Sequence, residues 1–430
     1  MHISELYKLW IESGFQICTD SRNIKSGALF FALRGDRFNG NEFAKQALHL
    51  GAMAAVVDAP ELKSCKGCIW VDDVLHALQN LATYHRNQMP AKVLALTGSN
   101  GKTTNKELIR EVLQKKYKVL ATSGNLNNHI GVPLTLLEIR PEHEFAIIEM
   151  GANHQGEIAQ LSKMAAPDYG IITNIGKAHL EGFGGIEGVL KGKTELYRFL
   201  KTKNAVVFVN ADDAQLMQHS VDLKRITYGV SKSAHIQMSA VVSHQTECSI
   251  RLIQPEQVIL NSNLIGSYNA YNLLAAASVG IYFDVPIQHI AAALASYKPE
   301  LNRSQQFKTA YNTLILDAYN ANPSSMQAAL NHIFNTYEGK HLILILGDMY
   351  ELGKESHTEH QNLVNQLLSH HCHAVYLIGS NFNKTTNHTF NTFETLNAFE
   401  DYLNRHPIRD KVILLKGSRA MQLERLKPLL

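Results

Sequence analysis

The sequence predicts an α/β protein with mostly parallel sheets. Short apolar segments of strand length alternate with helical segments along almost the whole chain, which is the pattern of α/β domains. The chain has 430 residues. At roughly 100–200 residues per domain, this length suggests two to four domains. With 45% hydrophobic and 18% charged residues, the composition is that of a folded globular protein.

Three domains account for the order of predicted elements. An N-terminal α/β domain over residues 1–90 ends where Met89 and Pro90 break a helix, because the residue before proline disfavours the helical conformation. A central parallel-sheet domain follows over residues 91–298. A C-terminal Rossmann-like domain over residues 299–430 begins at Pro299, after the end of another helix. The predicted strands are Ala28–Leu33, Ala54–Val57 and Ile69–Val71, then Val93–Leu96, Phe145–Ile148, Gly170–Thr173 and Ala205–Val209, and finally Thr313–Asp317, Leu342–Leu346, Ala374–Ile378 and Val412–Leu415.

Two further segments have distinct patterns. Residues 228–264 are more polar and alternate in character, which predicts antiparallel strands. Residues 186–200 form a predicted helix that carries Lys191 and Lys193 among small and apolar residues. Nothing in the local pattern distinguishes these two lysines from solvated ones.

The composition also excludes several classes of protein. No apolar run approaches the ~20 residues of a membrane helix, so no membrane span is expected. With 41 basic and 38 acidic residues, the net charge of +3 gives no basic stripe for nucleic acid. The N-terminal segment has no basic stretch followed by an apolar one, which predicts a cytoplasmic protein without a signal peptide, and we expect a monomer. Cys65 and Cys68 have metal-ligand spacing, but no second pair accompanies them, so a zinc site is not predicted.

The clearest local motif is a glycine loop between a strand and a helix, Thr97–Thr104. Glycines at 98 and 101 allow a backbone to wrap closely around an anion, and the following helix directs free N–H groups at it. Lys102 is placed to reach the β- and γ-phosphates of a nucleotide, and the Thr103 hydroxyl to ligate Mg²⁺. Only two residues separate the glycines instead of the usual four, so the motif is a shortened phosphate loop that predicts ATP and Mg²⁺ binding.

Two other strands end on residues that suit the same chemistry. Glu149 follows an apolar strand, and ligands in open α/β sheets bind at the carboxyl ends of strands. A carboxylate there can hold Mg²⁺ against transferring phosphate oxygens. His179 follows the strand Gly170–Thr173 in a glycine-rich loop and is a second candidate metal ligand. A surface histidine and a helix-capping glutamate are the alternative interpretations.

The order of motifs along the chain resembles the Mur ligase family. The resemblance covers essentially the whole chain. It rests on the phosphate loop together with Thr19–Arg22, Gly27–Gly35, Gly124–Pro133, Glu149, Ala178–Phe183, Gly266–Asn272, Asp317–Met326 and Leu346–Gly353.

The resemblance implies a role for each matching residue. Lys193 matches a lysine that many family members carbamylate to make an anionic ligand, with Lys191 as the rival position. Lys102, Lys193 and His179 are then catalytic, and Thr103, Glu149 and His179 hold the metal. The implied nucleotide-binding residues are Gly98, Asn100, Gly101, Lys102, Thr103, Thr104, Asn272, Arg303 and Asp317, and the implied substrate-binding residues are Ser21, Arg22, Asn125, Asn128, Asn320 and Asn322.

The implied activity is an ATP-dependent amide ligase. Within the family, the versions of Asp317–Met326 and Leu346–Gly353 found here indicate a ligase that adds D-alanyl-D-alanine to UDP-N-acetylmuramoyl-tripeptide through an acyl phosphate. The N-terminal domain would bind the uridine nucleotide and the central domain ATP. The alternatives are a sibling Mur ligase or a folylpolyglutamate synthase-like ligase with another amino acceptor, an inactive nucleotide-binding scaffold, and a nucleic-acid-binding ATPase.

Overall fold

The computed structural model describes residues 2–35, 38–244, 247–299, 305–337 and 339–430, with the side chains of 240–244 and 340 left aside. These residues form a mixed α/β protein with parallel sheets, as predicted. The chain divides into two compact units. The first unit comprises Met1–Leu96, Tyr117–Gly151 and Glu157–Tyr169, and the second comprises Thr97–Lys116, Ala152–Gly156 and Gly170–Leu430.

The N-terminal part of the first unit is a small parallel sheet with helices. Its strands pair in the order β1-β2-β5-β6, and every pair is parallel. The buried side chains of β2 and β5 pack with those of α2 to form its core. The elements are α1 (Ile3–Glu12), β1 (Ile17–Cys18), β2 (Leu29–Phe31), β3 (Arg34–Gly35), β4 (Phe38–Asn39), α2 (Ala44–His49), β5 (Ala54–Val57), β6 (Cys68–Trp70) and α3 (Val74–Arg86).

The following stretch contains most of the elements that carry predicted site residues. They are β7 (Lys92–Thr97), α4 (Lys102–Leu113), β8 (Val119–Ala121), α5 (Gly131–Leu137), β9 (Phe145–Glu149), α6 (Glu157–Ala165), β10 (Tyr169–Ile172), α7 (Leu180–Phe183), α8 (Ile186–Lys193), α9 (Glu195–Thr202), β11 (Val206–Asn210), α10 (Ala214–His219), β12 (Lys224–Gly229), β13 (Ile236–His244), β14 (Glu247–Gln254), β15 (Val258–Leu260), α11 (Ala270–Tyr282) and α12 (Ile287–Ser296). In the first unit, β9 lies between β7 and β8 with both pairings parallel. In the second unit the strand order is β15-β14-β13-β12-β11-β10.

Two predictions for this stretch needed correction in detail. In the region predicted to be antiparallel, β14 pairs antiparallel with β13 and with β15, but β12 pairs in parallel with both β11 and β13. The single helix predicted over 186–200 is two helices, α8 and α9, which meet at Thr194. The Thr194 hydroxyl donates to the carbonyl of Leu190 at 2.7 Å, a back-bond that often bends helices.

The C-terminal residues of the second unit form a six-stranded sheet in the order β16-β17-β21-β18-β19-β20. Only β16, at the edge, runs antiparallel to its neighbour. Their elements are β16 (Gln305–Lys308), β17 (Thr313–Leu316), α13 (Pro323–Thr336), β18 (Leu342–Gly347), α14 (Ser356–Leu367), β19 (Ala374–Ile378), α15 (Ser380–Asn383), β20 (Asn391–Phe393), α16 (Leu396–Arg405) and β21 (Val412–Lys416). Since β17, β18 and β21 are parallel, their carboxyl ends share one edge, where ligands of open α/β sheets bind.

Within the described ranges, no helix is both long and apolar enough to cross a membrane. The limits of the three predicted domains, 1–90, 91–298 and 299–430, stay a prediction.

Three buried histidines make stability sensitive to acid. Burial lowers the pKa of His85, His332 and His360. His360 is fully buried, and as a neutral ring it donates from Nδ1 to the Ser356 carbonyl at 2.7 Å and accepts the Met349 N–H on Nε2 at 3.0 Å. Protonation would put a second N–H opposite the Met349 donor, so the folded protein resists it.

We expect the free energy of unfolding to fall as the pH drops below about 6.5, the ordinary histidine pKa, because the unfolded chain then binds protons that the native chain does not. Each buried histidine contributes a slope of at most about 1.4 kcal/mol per pH unit. Urea unfolding between pH 7 and 5 measures this. His360→Gln should reduce the slope of the unfolding free energy against pH, and His219→Gln, at an exposed position, should not. Equal slopes in the wild type and both variants would contradict the role of His360.

Candidate active site

The phosphate loop lies between β7 and α4 and requires both of its glycines. Gly98 has a φ of 146° and Gly101 a φ of 76°, conformations that side-chain-bearing residues rarely adopt. A Cβ at position 98 would overlap the Thr173 hydroxyl, and one at 101 would lie 2.9 Å from the side-chain oxygen of Asn272. The loop is therefore close-packed against its neighbours, with no room for larger residues.

Hydrogen bonds to residues 173–176 hold the loop in place. The Ser99 N–H donates to the Asn174 carbonyl at 3.0 Å, and the Ser99 hydroxyl both donates to and accepts from the backbone of Gly176 at 2.9 Å. The carbonyl of Asn100 accepts the Thr173 hydroxyl at 2.6 Å and the Asn174 amide at 3.0 Å. The segment after β10 thus sets the shape of the loop.

Lys102 and Thr103 begin the helix that follows the loop. The Nζ of Lys102 donates to the carbonyls of Gly98 and Ser99 at 2.8 and 3.2 Å, so the ammonium lies over the loop. Thr103 is buried and Thr104 half-buried at the start of α4. A cation and a helix N-terminus beside a concave backbone are the features of an anion-binding arrangement.

Asn272, at the start of α11, is joined to the loop through Asn105. The Nδ2 of Asn105 donates to the Gly101 carbonyl at 3.0 Å and to Oδ1 of Asn272 at 2.6 Å. Asn272 in turn donates to Asn269 at 2.7 Å. The structure therefore brings Asn272 to the phosphate loop, and Asn105 is a residue that the sequence interpretation missed, although it lies one helical turn after Lys102.

Glu149 belongs to the first unit and ends β9, as predicted. It is 1% exposed, and its Oε1 accepts the side-chain amide of Asn127 at 2.8 Å. Its backbone N–H donates to the Thr122 hydroxyl at 3.0 Å. Asn127 lies between Asn125 and Asn128, the two asparagines that the sequence predicted to bind substrate. Both of those are exposed. The side chain of Asn128 instead accepts the N–H groups of Ile130 and Gly131.

His179 and Lys193 lie in the second unit. His179 has a φ of 52°, and its Nδ1 contacts the carboxylate of Glu351, whose pKa is lowered mainly by a hydrogen bond with His179. Lys193 is 1% exposed at the end of α8, and its Nζ donates to the Ala152 carbonyl at 3.3 Å and lies 5.1 Å from the centre of the Phe183 ring. Lys191, the rival position, is exposed. Burial thus distinguishes Lys193, the position that the resemblance implied, from the rival Lys191.

Asp317 and Lys416 form an ion pair at the carboxyl edge of the C-terminal sheet. The Nζ of Lys416 lies 2.5 Å from Oδ2 of Asp317 and 3.4 Å from the carbonyl of Asn320. Lys416 is 2% exposed, and a side chain this buried needs an ionic or hydrogen-bonding partner. The sequence interpretation missed Lys416 because it ends an apolar strand and no motif contains it.

Asn320 and Asn322 follow the same strand but differ in exposure. Asn320 is exposed, and its side chain accepts the N–H of Ala321. Asn322 is buried, and its Nδ2 donates to the side-chain oxygen of Asn100 in the phosphate loop at 2.8 Å. The C-terminal sheet region therefore reaches the phosphate loop through a predicted substrate-binding residue.

The remaining predicted residues are at the N-terminal sheet or outside the described ranges. Ser21 and Arg22 begin a short 3₁₀ helix after Asp20. The guanidinium of Arg22 pairs with the Asp20 carboxylate at 2.7 Å, and this hydrogen bonding lowers the pKa of Asp20 to about 2. Arg303 lies outside the described residues.

The donors available for a divalent cation are mainly oxygen atoms. Among the described residues, no group of three or more His, Cys, Asp and Glu side chains forms a ready metal cluster. Of the residues predicted to hold a metal, Thr103 in the second unit carries a hydroxyl and Glu149 in the first a carboxylate, which are donor types that Mg²⁺ prefers, and His179 carries an imidazole. The oxygen donors fit Mg²⁺ chemically.

Comparison with known proteins shows which family models match this chain. Three family models match successive parts of the chain: "Mur ligase family, catalytic domain" at residues 16–86, "Mur ligase middle domain" at 96–280, and "Mur ligase, glutamate ligase domain" at 302–419. Their order along the chain is that of a three-domain Mur ligase, and the predicted three-domain architecture agrees with it.

Similar proteins cover nearly the full length. A Bacillus subtilis protein named UDP-N-acetylmuramoyl-tripeptide--D-alanyl-D-alanine ligase is 34% identical over 95% of this chain and 91% of its own. The crystal structure of MurF from Acinetobacter baumannii has a TM-score of 0.86 at 32% identity, covering 96% of this chain and 92% of that one. MurF from Thermotoga maritima, solved in complex with ADP, has a TM-score of 0.85 at 25% identity and covers 96% of each chain. Sequence relatives, family models and solved structures therefore agree, and the chain belongs to the Mur ligase family.

Proposed function

We propose that this protein is an ATP-dependent ligase that joins D-alanyl-D-alanine to UDP-N-acetylmuramoyl-tripeptide, giving the pentapeptide precursor of peptidoglycan. The observation that carries the proposal is the intact phosphate loop in a chain whose full-length relatives bear the name of that ligase. The reaction needs ATP, so we assign it to the cytoplasm. It involves two small-molecule substrates and no nucleic acid.

Amide formation from a carboxylate and an amine requires activation, because the carboxylate has no good leaving group. An oxygen of the tripeptide carboxylate attacks the γ-phosphorus of ATP, the bond to the β-phosphate oxygen breaks, and an acyl phosphate and ADP result. The amine of D-alanyl-D-alanine then attacks the acyl carbon through a tetrahedral intermediate. Phosphate leaves, and the amine loses a proton.

The protein supplies positioning and positive charge for these steps. The backbone of the phosphate loop cradles the phosphates, and Lys102 turns from its own loop carbonyls towards them. By family resemblance, Thr103, Glu149 and His179 would hold Mg²⁺, which neutralises charge on the phosphate oxygens when bound. Asn127 keeps the Glu149 carboxylate in one orientation. Asp317, oriented by Lys416, and Asn272, oriented by Asn105, are the proposed contacts to ribose and adenine.

Lys193 is the proposed site of carbamylation. Its burial beside Phe183 and the Ala152 carbonyl supports it over exposed Lys191. A buried amine would gain from conversion to an anionic group only if a cation is bound nearby, which agrees with the proposed metal site. Ser21, Arg22, Asn125, Asn128 and Asn320 are proposed to contact the UDP-linked substrate or the dipeptide, and Arg303 the nucleotide phosphates.

The main alternative is a sibling ligase with another amino acceptor. We expect phosphate release only when ATP, UDP-N-acetylmuramoyl-tripeptide and D-alanyl-D-alanine are all present. The measurement is a phosphate assay in which each component is omitted in turn and in which single amino acids replace the dipeptide. Release that depends on L-glutamate or another single amino acid, but not on the dipeptide, would reassign the protein to a sibling.

Lys102→Ala should lower kcat/KM by at least about 100-fold, because it removes the cation that meets the transferring phosphoryl group. The melting temperature should change little, since the side chain is only half-buried at the first position of α4. The matched control is Lys116→Ala, which removes another lysine whose Nζ donates to two backbone carbonyls, those of Phe283 and Asp284. Full activity of Lys102→Ala would contradict the ATP-site assignment.

Lys193→Ala should abolish most activity, and added short carboxylic acids should restore part of it by replacing the carbamate. Lys191→Ala should keep wild-type activity, since that side chain is exposed. The test compares initial rates of both variants with and without acetate. Loss of activity in Lys191→Ala together with full activity in Lys193→Ala would assign the carbamate to Lys191 instead.

A further inference from the structure

The contact between Asn322 and the phosphate loop points to a role beyond substrate binding. Asn322 precedes α13, a 14-residue helix, and is its N-cap. Its Oδ1 accepts the N–H of Ser325 at 2.9 Å, and its own N–H donates to the Ser325 hydroxyl at 3.1 Å. With the oxygen turned towards the helix, the amide nitrogen faces the other way, where it donates to Oδ1 of Asn100 at 2.8 Å.

Asn100 is held on its other side by the segment after β10. Its N–H donates to Oδ1 of Asn174 at 3.1 Å, and its carbonyl accepts bonds from Thr173 and Asn174. Asn322, which belongs to the C-terminal sheet region, therefore adds a side-chain hydrogen bond to a residue whose backbone is already held by other bonds. Together these bonds hold both the backbone and the side chain of Asn100.

The packing around this contact is close and includes a second hydrogen bond. The Ser324 hydroxyl accepts the N–H of Lys177 at 2.9 Å. A Cβ on Gly176 would lie 2.9 Å from that hydroxyl oxygen and 3.4 Å from Nδ2 of Asn100. The Nζ of Lys177 also lies 2.6 Å from the carboxylate of Glu359 in α14. The start of α13 is thus docked against the loop through neighbouring contacts, and Asn322 is the member of this group that bonds to the phosphate loop itself.

We propose that Asn322 is a positioning residue for the phosphate loop: by capping α13 and holding Asn100, it makes nucleotide affinity depend on docking of the C-terminal sheet region. Both ends of its amide have protein partners, so it acts through Asn100 and does not need to touch the substrate. The inference rests on the proposed function in one respect, namely that this loop binds the nucleotide.

The test separates the hydrogen bond to Asn100 from the helix cap. Asn322→Ser keeps a good N-cap residue but removes the amide donor. Asn100→Ala removes the acceptor from the other side. Ser325→Ala is the matched control, because it removes the side-chain half of the capping box and leaves the Asn322–Asn100 bond in place. All are made in the full chain, and ADP affinity is measured by calorimetry without other substrates.

We expect Asn322→Ser and Asn100→Ala each to weaken ADP binding by about 3- to 10-fold, the effect of one hydrogen bond. The double variant should bind no more weakly than the weaker single variant, because both changes break the same bond. Ser325→Ala should lower the melting temperature and leave ADP affinity unchanged.

Wild-type ADP affinity in Asn322→Ser, or a double variant whose loss is the product of the two single losses, would overturn the proposal. If Asn322→Ser fails to fold, Asn100→Ala tests the same bond from the loop. An unchanged ADP affinity in that variant would also overturn the proposal. Failure of the wild-type protein to bind ADP would instead contradict the proposed function.

Discussion

The phosphate loop can exist in this chain because the segment after β10 takes up its backbone hydrogen bonds. Gly98 packs where any Cβ would overlap Thr173, and the backbone groups of Ser99 and Asn100 bond to Asn174 and Thr173. Because buried backbone N–H and C=O groups need hydrogen-bond partners, a loop of this shape depends on such partners from a neighbouring segment. The strand β10 and the loop after it are therefore as important to the site as the glycine motif.

The same principle applies to side chains that were predicted to belong to the site. Several of the predicted site residues are held by a partner that the motifs do not mark: Glu149 by Asn127, Asn272 by Asn105, and Asp317 by Lys416. Buried polar groups are costly without hydrogen bonds, so these partners both stabilise the fold and limit the orientations of the reactive groups. Preorganisation of this kind is what phosphoryl transfer requires, because the protein contributes position and charge more than covalent chemistry.

The predicted strands were found with small shifts at their ends, since they are runs of apolar residues in parallel sheets, most of them buried and β6 half-buried. Two of the strands that were missed, β16 (Gln305–Lys308) and β20 (Asn391–Phe393), lie at sheet edges and contain mostly polar residues. Edge strands form through pairing with a neighbour, and their own composition carries little signal. The break between α8 and α9 at Thr194 was missed because threonine is compatible with a helix, and its back-bond to Leu190 arises only in the folded chain.

Local pattern was sufficient to predict the fold class, the phosphate loop and the strand-end positions of Glu149 and Asp317, because periodicity and glycine spacing are properties of neighbouring residues. Local pattern could not decide between Lys191 and Lys193, since the two are only two positions apart and only packing against Phe183 and Ala152 buries one of them. The bond between Asn322 and Asn100 was equally beyond it, because it joins residues 222 positions apart. Contacts at that separation depend on how the sheets and helices pack, and no local pattern encodes them.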